Sequence, residues 1–339
     1  MRNFAGNFHA RKFCHTEPMK ILFTLLSVLS SVLLSAQPNP EFESVDHFAR
    51  SINIQTGNRK QLLKVIDTIR GQFNNDEARV RAAFVWVTEH VQYDCGSYSD
   101  PVLSRNSIDA ILKTGKSVCS GFANIFEFMC RQMGIECVNI NGFAKTSAKD
   151  LLLKADSMRN NHTWNAVKIS GMWKLIDVTW ASGYADENCS TVVKEFADQY
   201  FFMPPEQMIL THYPADSNWQ LLKNRMSREE FLGLPILHDS FFKSGITEFE
   251  PGQSTLEAPY NGLLVFKFKS SRPLEKIGIW SPDASVPQEW AQFTRRGDYF
   301  VFYYYVKGRN DYILNISLNG TRTSLIYKIK VQNQKKQRS

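Results

Sequence analysis

The chain has 339 residues, of which 43% are hydrophobic and 22% are charged. This length suits two domains with a large buried core, and the composition excludes a chain that is disordered over most of its length. The formal net charge is +7 at pH 7, but the basic residues are dispersed except for a cluster at residues 335–338. Because no basic and aromatic residues interleave, the sequence argues against a nucleic-acid partner.

The N-terminal residues have the pattern of an export signal. Met19 and Lys20 precede an uncharged apolar run, residues 21–34, which is followed closely by the small residue Ala36. A charged start, a short apolar body and a small residue at the end are typical of a secretory signal peptide. The run is shorter than the roughly 20 residues that a membrane span needs, so an anchor is the weaker interpretation. We therefore predict a signal peptide over residues 1–36, with an upstream extension before Met19, and a secreted or periplasmic protein.

Five cysteines follow the predicted signal peptide: Cys95, Cys119, Cys130, Cys137 and Cys189. An odd number in an exported protein leaves at least one thiol free. Their spacing matches no zinc-site pattern, so the sequence predicts neither a metal nor another cofactor. Which of these cysteines form disulfides is left open by the sequence.

Helical patterns occupy the first part of the mature chain. Residues 41–93 are helix-like, and a short helix is predicted over Ser107–Lys113. From Cys119 onward, apolar side chains recur at helical spacing over Phe122–Met133. This pattern predicts a buried helix, and Gly134 is placed to end it.

Strand patterns follow this helix. Cys137–Phe143 predicts one strand, and His162–Ile169 and Trp173–Trp180 predict two more. Ser170 and Gly171 lie near the junction of the last two strands and favour a β-hairpin with a two-residue turn.

The character of the chain changes after Phe242. Short strand-like runs separated by turn residues predict an all-β sandwich, immunoglobulin-like in character, over residues 241–339. The predicted strands are Gly262–Phe268, Lys276–Trp280, Tyr299–Val306, Tyr312–Leu318 and Ser324–Val331. This part has no catalytic constellation, and we predict that it contacts a protein partner.

Cys119 is the first residue of the predicted buried helix, with Gly115 before it and Gly121 just inside the helix. The unpaired N–H groups and the dipole at a helix N-terminus lower the pKa of a cysteine placed there. The same N–H groups can hold an oxyanion. A single cysteine near a helix start is more often an ordinary buried thiol, so a chemical role requires partners.

The predicted hairpin supplies a histidine and a carboxylate. A two-residue turn places Trp164 opposite Asp177, so His162 and Asp177 are diagonal neighbours on one face. We expect Asp177 to accept the Nδ1 hydrogen of His162, which leaves Nε2 free toward the thiol of Cys119. We also expect these side chains at a cleft rather than in the core.

Several stretches of the sequence resemble the transglutaminase-like superfamily. They are Val118–Ala123, Met133–Ile135, His162–Val167 and Trp173–Trp180. Trp86-Val87 and Tyr93-Asp94 are similar to the element that precedes the nucleophile in this family. A further tract, Tyr200–Leu222, is similar to the kyphoscoliosis peptidase branch, and the resemblance covers about residues 78–240.

The resemblance implies an α+β, papain-like fold over residues 37–240. A central helix carries the cysteine and packs on an antiparallel sheet that carries the histidine and the aspartate. The resemblance also implies that Cys119 is the nucleophile, His162 its base and Asp177 the residue that orients the histidine.

The resemblance assigns the remaining site residues less directly. Trp164 and Trp180 are predicted to be core and groove walls and therefore candidates for substrate binding, whereas Asn165 is predicted to be structural. Tyr93 is a candidate for the second oxyanion donor.

The implied reaction is acyl transfer from an amide or peptide bond of a protein or peptide substrate. Water as the acceptor makes the protein a peptidase or amidase, which is the reaction we favour. A lysine amine as the acceptor makes it a crosslinking transglutaminase. The third alternative is a transglutaminase-like binding scaffold in which the triad is idle.

Overall fold

In the computed structural model, the described residues are 40–54, 57–98, 106–186, 188–283, 286–320 and 322–332. The predicted signal peptide, residues 1–36, lies outside them. None of the helices in the described ranges combines the length and the apolar character that crossing a bilayer requires.

The α-helices of the described residues are α1 (Pro40–Ser51), α2 (Arg59–Gln72), α3 (Asp76–His90), α4 (Cys95–Tyr98), α5 (Ile108–Thr114), α6 (Cys119–Gln132), α7 (Val178–Ala181), α8 (Pro205–Met208), α9 (Arg228–Gly233) and α10 (Asp239–Lys243). Short 3-10 helices cover Ala148–Leu152, Ala155–Ser157, Asp198–Tyr200 and Ser217–Gln220. The helices predicted before residue 134 are confirmed.

The strands of the described residues are β1 (Gln92–Tyr93), β2 (Lys116–Ser117), β3 (Cys137–Ala144), β4 (His162–Ile169), β5 (Met172–Ile176), β6 (Gly183–Ala185), β7 (Val192–Lys194), β8 (His212–Pro214), β9 (Ile236–Leu237), β10 (Ile246–Glu250), β11 (Thr255–Pro259), β12 (Leu263–Ser270), β13 (Ile277–Trp280), β14 (Glu289–Trp290), β15 (Phe293–Arg296), β16 (Tyr299–Tyr305), β17 (Tyr312–Leu318) and β18 (Leu325–Gln332). The five strands predicted after Phe242 are confirmed as β12, β13, β16, β17 and β18.

Local capping explains where the first helices begin. The side chains of Asn58 and Asn75 accept the backbone N–H of Gln61 and Ala78, at 3.1 and 2.7 Å, and so cap α2 and α3. Helix α3 is buried along most of its length because α1, α2 and α6 pack around it. It is therefore the central support behind α6.

The sheet that positions the site is four-stranded, with the order β5-β4-β3-β8, and its neighbouring strands run antiparallel. Helix α6 packs against β3 and β4 of this sheet. A cysteine-bearing helix that packs on a sheet with a histidine at the start of one strand is the arrangement that the sequence resemblance implies.

The β4–β5 hairpin follows the predicted register, but its second strand ends early. Ser170 and Gly171 form a two-residue turn with positive φ angles of 49° and 79°, and Ile169 pairs with Met172. The strand was expected to continue to Trp180, whereas β5 ends at Ile176 and α7 follows. The chain turns there because Asp177 is the N-cap of α7.

A disulfide joins Cys95 in α4 to Cys189, which follows β6, across 94 residues of sequence. Cys119, Cys130 and Cys137 are free thiols. The bond therefore links α4 to the connection between β6 and β7, and it settles the pairing that the sequence left open.

Two sheets form the C-terminal part. One has the order β10-β12-β16-β15, and the other runs β11-β18-β17-β13-β14, with β9 paired to β18. Phe266 of the first sheet meets Tyr327 of the second at 5.4 Å between ring centroids, so the two sheets share a core. Because β9 already belongs to this layer, the chain enters it before residue 241. The immunoglobulin-like character and the domain boundaries stay predictions.

Candidate active site

Cys119 is the first residue of α6, and Val118 is the N-cap without a side-chain hydrogen bond. The first N–H groups of the helix therefore point toward the thiol end without an intrahelical partner. Gly121 is required in this turn, because a β-carbon there would lie 1.8 Å from Ser117 Oγ. Glycine thus lets β2 approach α6 closely enough to fix the position of Cys119.

The thiol of Cys119 is half-buried and hydrogen-bonded to His162. Burial acts to raise the pKa of this thiol. A hydrogen bond with His162, the positive charge of that ring and the backbone N–H of Thr163 outweigh burial and lower the pKa overall. The site therefore favours the thiolate form of Cys119.

His162 is the first residue of β4, and its Nε2 lies 2.6 Å from Asp177 Oδ2. This corrects the expectation that Asp177 accepts from Nδ1. Since Nε2 is bonded to the carboxylate, Nδ1 is the ring nitrogen left for Cys119. The physical reason is that Asp177 belongs to the start of α7 and not to a continuing strand, so it meets the far end of the ring.

Burial acts to lower the pKa of His162, but the charge of Asp177 and hydrogen bonds with Asp177 and Cys119 raise it to about 10. The imidazolium form of His162 is therefore favoured at neutral pH beside the sulfur of Cys119. When Cys119 loses its proton, the thiolate and the imidazolium can form an ion pair in which the negative charge of Asp177 supports the positive ring.

Asp177 is 0% exposed, so the expectation that it lies at a cleft is wrong. Its Oδ1 accepts the backbone N–H groups of Thr179 and Trp180, at 2.8 and 3.0 Å, which caps α7. Its Oδ2 accepts from His162. Burial acts to raise the pKa of this carboxyl, but the charge and hydrogen bonds of the neighbouring histidines lower it well below its usual range.

His212 is a member of the site that sequence reasoning missed. It begins β8, is 1% exposed, and places Nε2 3.0 Å from Asp177 Oδ2. Its Nδ1 lies 2.7 Å from Thr211 Oγ1. In the sequence, His212 is marked only as a histidine in a short strand-like run. Its contact with Asp177, 35 positions away, arises from the pairing of β8 with β3 and could not be seen in the sequence.

A family model described as the transglutaminase-like superfamily matches residues 64–178, which include Cys119, His162 and Asp177. The chain belongs to the transglutaminase-like superfamily. Its core accordingly has the papain-like, cysteine-protease fold that the resemblance implies.

Curated relatives place the chain nearer to one branch of this superfamily. It is 30% identical to the kyphoscoliosis peptidase of Mus musculus over 232 residues, 68% of this chain and 34% of that protein. It is 30% identical to that of Homo sapiens over 247 residues, 73% of this chain and 36% of that protein. Hillarin of Drosophila melanogaster is 27% identical over 217 residues, 61% of this chain and 26% of that protein. The chain thus spans about a quarter to a third of these relatives.

Aromatic rings surround the histidines of this transglutaminase-like site. Trp164 is 1% exposed and stacks near His162, with ring centroids 6.0 Å apart. This burial fits the expectation that Trp164 is a core wall, and its role in substrate binding stays a prediction. Trp180 is half-buried, 5.6 Å from the His162 ring, and its role in substrate binding stays a prediction.

The structure also defines the positions of Tyr93 and Asn165, two further residues considered in the sequence analysis. Tyr93 lies on β1 and pairs with Ser117 of β2. Ser117 is two residues before the nucleophile, Cys119. Asn165 is 0% exposed, and its Nδ2 donates to Ala123 O and Asn139 Oδ1 at 3.2 and 2.7 Å. Asn165 therefore joins α6 to the sheet and does not contact the His162 ring by a hydrogen bond.

His162, Asp177 and His212 also have the composition of a metal site, with ligand atoms within 4.8 Å of one another. Two ligands of a tetrahedral zinc ion lie about 3.3 Å apart, given bond lengths near 2.0–2.2 Å. The 2.6 Å from His162 Nε2 to Asp177 Oδ2 is instead the length of a charge-assisted hydrogen bond. Protons therefore fit between these groups better than a metal.

Proposed function

We propose that Cys119, His162 and Asp177 form a catalytic triad that hydrolyses peptide or amide bonds. The observation that carries this proposal is the 2.6 Å hydrogen bond between His162 and Asp177, made while the same ring holds the Cys119 thiol. A stabilised thiolate beside an imidazolium is the activated nucleophile of cysteine acyl transfer.

The reaction begins with attack of the Cys119 thiolate on the carbonyl carbon of the substrate. The C–S bond forms, and the carbonyl oxygen takes the electron pair as an oxyanion near the N-terminus of α6. His162 then gives its Nδ1 proton to the leaving nitrogen as the C–N bond breaks, which releases an amine or ammonia and leaves a thioester. Water, deprotonated by His162, attacks the thioester and restores the thiolate and the acid product.

Hydrolysis is favoured over crosslinking by the relatives, because two of them are named peptidases. A lysine amine that replaces water in the second step would make the crosslinking alternative. The two reactions share the thioester and differ only in the acceptor, so a test must vary the acceptor.

The decisive experiment incubates the protein with a peptide library, with and without an excess of a primary amine. Shorter peptides formed only by the parent chain, and not by Cys119→Ala, support hydrolysis. Amine-conjugated peptides support crosslinking instead. A matched control is Cys130→Ala, a buried thiol of the same helix, which should behave as the parent chain. Unchanged peptides in every sample would favour the idle scaffold.

The proposal includes export from the cytoplasm. The disulfide between Cys95 and Cys189 supports it, because such bonds persist in oxidising compartments. Expression of the complete chain in a bacterium, followed by sequencing of the protein found outside the cytoplasm, tests this. A new N-terminus near Gln37 supports the predicted signal peptide, and an uncleaved cytoplasmic chain contradicts it.

A further inference from the structure

Asp177 uses all the hydrogen-bonding capacity that a carboxylate has. Oδ1 accepts two backbone N–H groups of α7, and Oδ2 accepts from His162 and from His212. A carboxylate offers about four lone-pair positions, so none is left over. The catalytic proposal uses only the contact with His162, which leaves the contact with His212 unexplained.

The surroundings of His212 fix which nitrogen carries its proton. Nδ1 is 2.7 Å from the hydroxyl of Thr211, which can donate to it, and Nε2 faces the carboxylate of Asp177. The proton therefore lies on Nε2, and the ring is a donor to Asp177. Burial, the largest effect, keeps the pKa of His212 below its usual value, so the ring is neutral.

The aromatic packing holds this ring rigidly. The centroid of His212 lies 4.4 Å from that of Trp180, 5.1 Å from Trp164 and 5.2 Å from His162. The titratable groups that act on His212 are Asp177, which precedes α7, and His162 of β4. Cys119 is bonded to His162, and Tyr200 packs on Trp180, so each lies behind a neighbour of His212. The backbone of Lys145 bonds to Thr211, but its ammonium donates to the carbonyls of Phe231 and Leu234.

We propose that His212 is a positioning residue that, as a neutral second donor to Asp177 Oδ2, keeps His162 acidic enough to protonate the leaving amine. The hydrogen bond from His212 stabilises the charged form of Asp177 and lowers the pKa of that carboxyl, which makes it a weaker acceptor for the proton of His162. His212 thus withdraws part of the charge with which Asp177 holds the proton of His162. This inference rests on the proposed triad and assigns a function to a fourth residue.

Loss of the His212 donor should affect the thiolate of Cys119 and the acidity of His162 differently. Without the His212 donor, the backbone caps on Oδ1 still hold Asp177 in place, and Asp177 binds His162 more tightly. The thiolate of Cys119 then persists, because its imidazolium partner is held more firmly. Proton transfer to the leaving amine becomes slower, because His162 is a weaker acid.

Three variants test this. His212→Phe removes the donor and keeps a ring. His212→Gln is the matched control, because its amide nitrogen occupies the place of Nε2. His212→Asn is too short to reach Asp177, and it replaces His212→Phe if the phenylalanine variant does not fold.

We expect His212→Phe to lower kcat about tenfold, the loss expected for one hydrogen bond to a charged group. Alkylation of Cys119 by iodoacetamide at pH 7 should stay within about twofold of the parent rate. His212→Gln should restore kcat. Equal losses of turnover and alkylation in His212→Phe, or no loss at all, would overturn the proposal, since a merely structural histidine would give the first result.

NMR titration of protein with ¹⁵N-labelled histidine gives a readout that needs no substrate. We expect His212 to be neutral with its proton on Nε2 at pH 7, and the titration of His162 to move to higher pH in His212→Phe and not in His212→Gln. A charged His212, a proton on Nδ1 or an unmoved His162 would contradict the inference. Since these spectra are independent of turnover, failure of the peptidase assay alone would overturn the proposed function and not this assignment.

Discussion

The transglutaminase-like part and the C-terminal sheets bury polar groups in different ways. In the transglutaminase-like part, one carboxylate and two histidines lie together with almost no exposure. In the C-terminal sheets, the buried polar groups of the described residues are uncharged, as in the hydroxyl pair of Tyr304 and Tyr312 at 2.7 Å. Burying charge costs free energy that an apolar core avoids. Among the described residues, only the transglutaminase-like part buries charged groups, and besides the site it holds the ion pair of Arg81 with Asp46. We infer that the charges of His162 and Asp177 are retained for chemistry, whereas the C-terminal sheets are built for stability.

The largest effects should come from the two residues that form or break bonds. Cys119→Ala and His162→Ala should each lower kcat/KM by about 10⁴-fold or more. Peptide hydrolysis measured beside Cys130→Ala checks this, because Cys130 is a buried thiol of the same helix that is hydrogen-bonded to Cys137. Comparable losses in Cys130→Ala would remove the distinction between site and core.

Asp177→Asn should have the next largest effect. The amide supports the imidazolium poorly, so we expect turnover to fall about 10²- to 10⁴-fold and the pKa of Cys119 to rise. Because Asp177 is completely buried between paired donors, the free energy of unfolding should also fall by about 3 kcal/mol. Chemical unfolding and thiol titration measure these separately. Parental stability would show that the carboxylate is not needed for folding.

Loss of the disulfide should affect the first half selectively. Replacing Cys95 and Cys189 together by serine opens a loop of 94 residues, which should cost about 2–4 kcal/mol of unfolding free energy. Urea unfolding followed by tryptophan fluorescence gives this value. If the transglutaminase-like part and the C-terminal sheets unfold in separate steps, only the step of the transglutaminase-like part should lose stability. A loss confined to the C-terminal sheets would contradict this expectation.

The smallest effect is expected in the C-terminal sheets. Tyr304→Phe leaves the hydroxyl of Tyr312 without its partner and should cost about 1 kcal/mol. Peptide turnover should not change, because no residue of the proposed triad contacts this pair by a hydrogen bond. A tenfold loss of activity would show that the C-terminal sheets contribute to the reaction.

Local signals made part of this architecture predictable. The apolar spacing after Cys119 defines α6, and Ser170-Gly171 defines the hairpin, because both depend on neighbours in sequence. The end of β5 was harder to predict, since an aspartate two residues before Thr179 fits either a strand or a helix cap. Tertiary contacts decide it, because Asp177 is held by His162 and His212.

The role of His212 could not be predicted from the sequence, also because it depends on tertiary contacts. Its contact with Asp177 depends on β8 adding to the edge of β3 after a long connection. No periodicity or motif records that pairing. The contact of Asp177 with Nε2 rather than Nδ1 of His162 has a different cause, because it follows from the position of Asp177 as the N-cap of α7.

The most direct test of the central claim is the pH dependence of alkylation at each free thiol. The pKa of Cys119 is lowered by its partners, so its alkylation by iodoacetamide should persist as the pH falls below the usual range of a thiol near 8.5. Burial raises the pKa of Cys130, so that thiol should react slowly throughout. In His162→Ala the titration of Cys119 should move up toward the usual range. Mass spectrometry of labelled peptides reports each thiol. Fast, low-pH labelling of Cys119 that depends on His162 is the predicted result, and equal labelling of all three thiols in the folded protein would contradict the account.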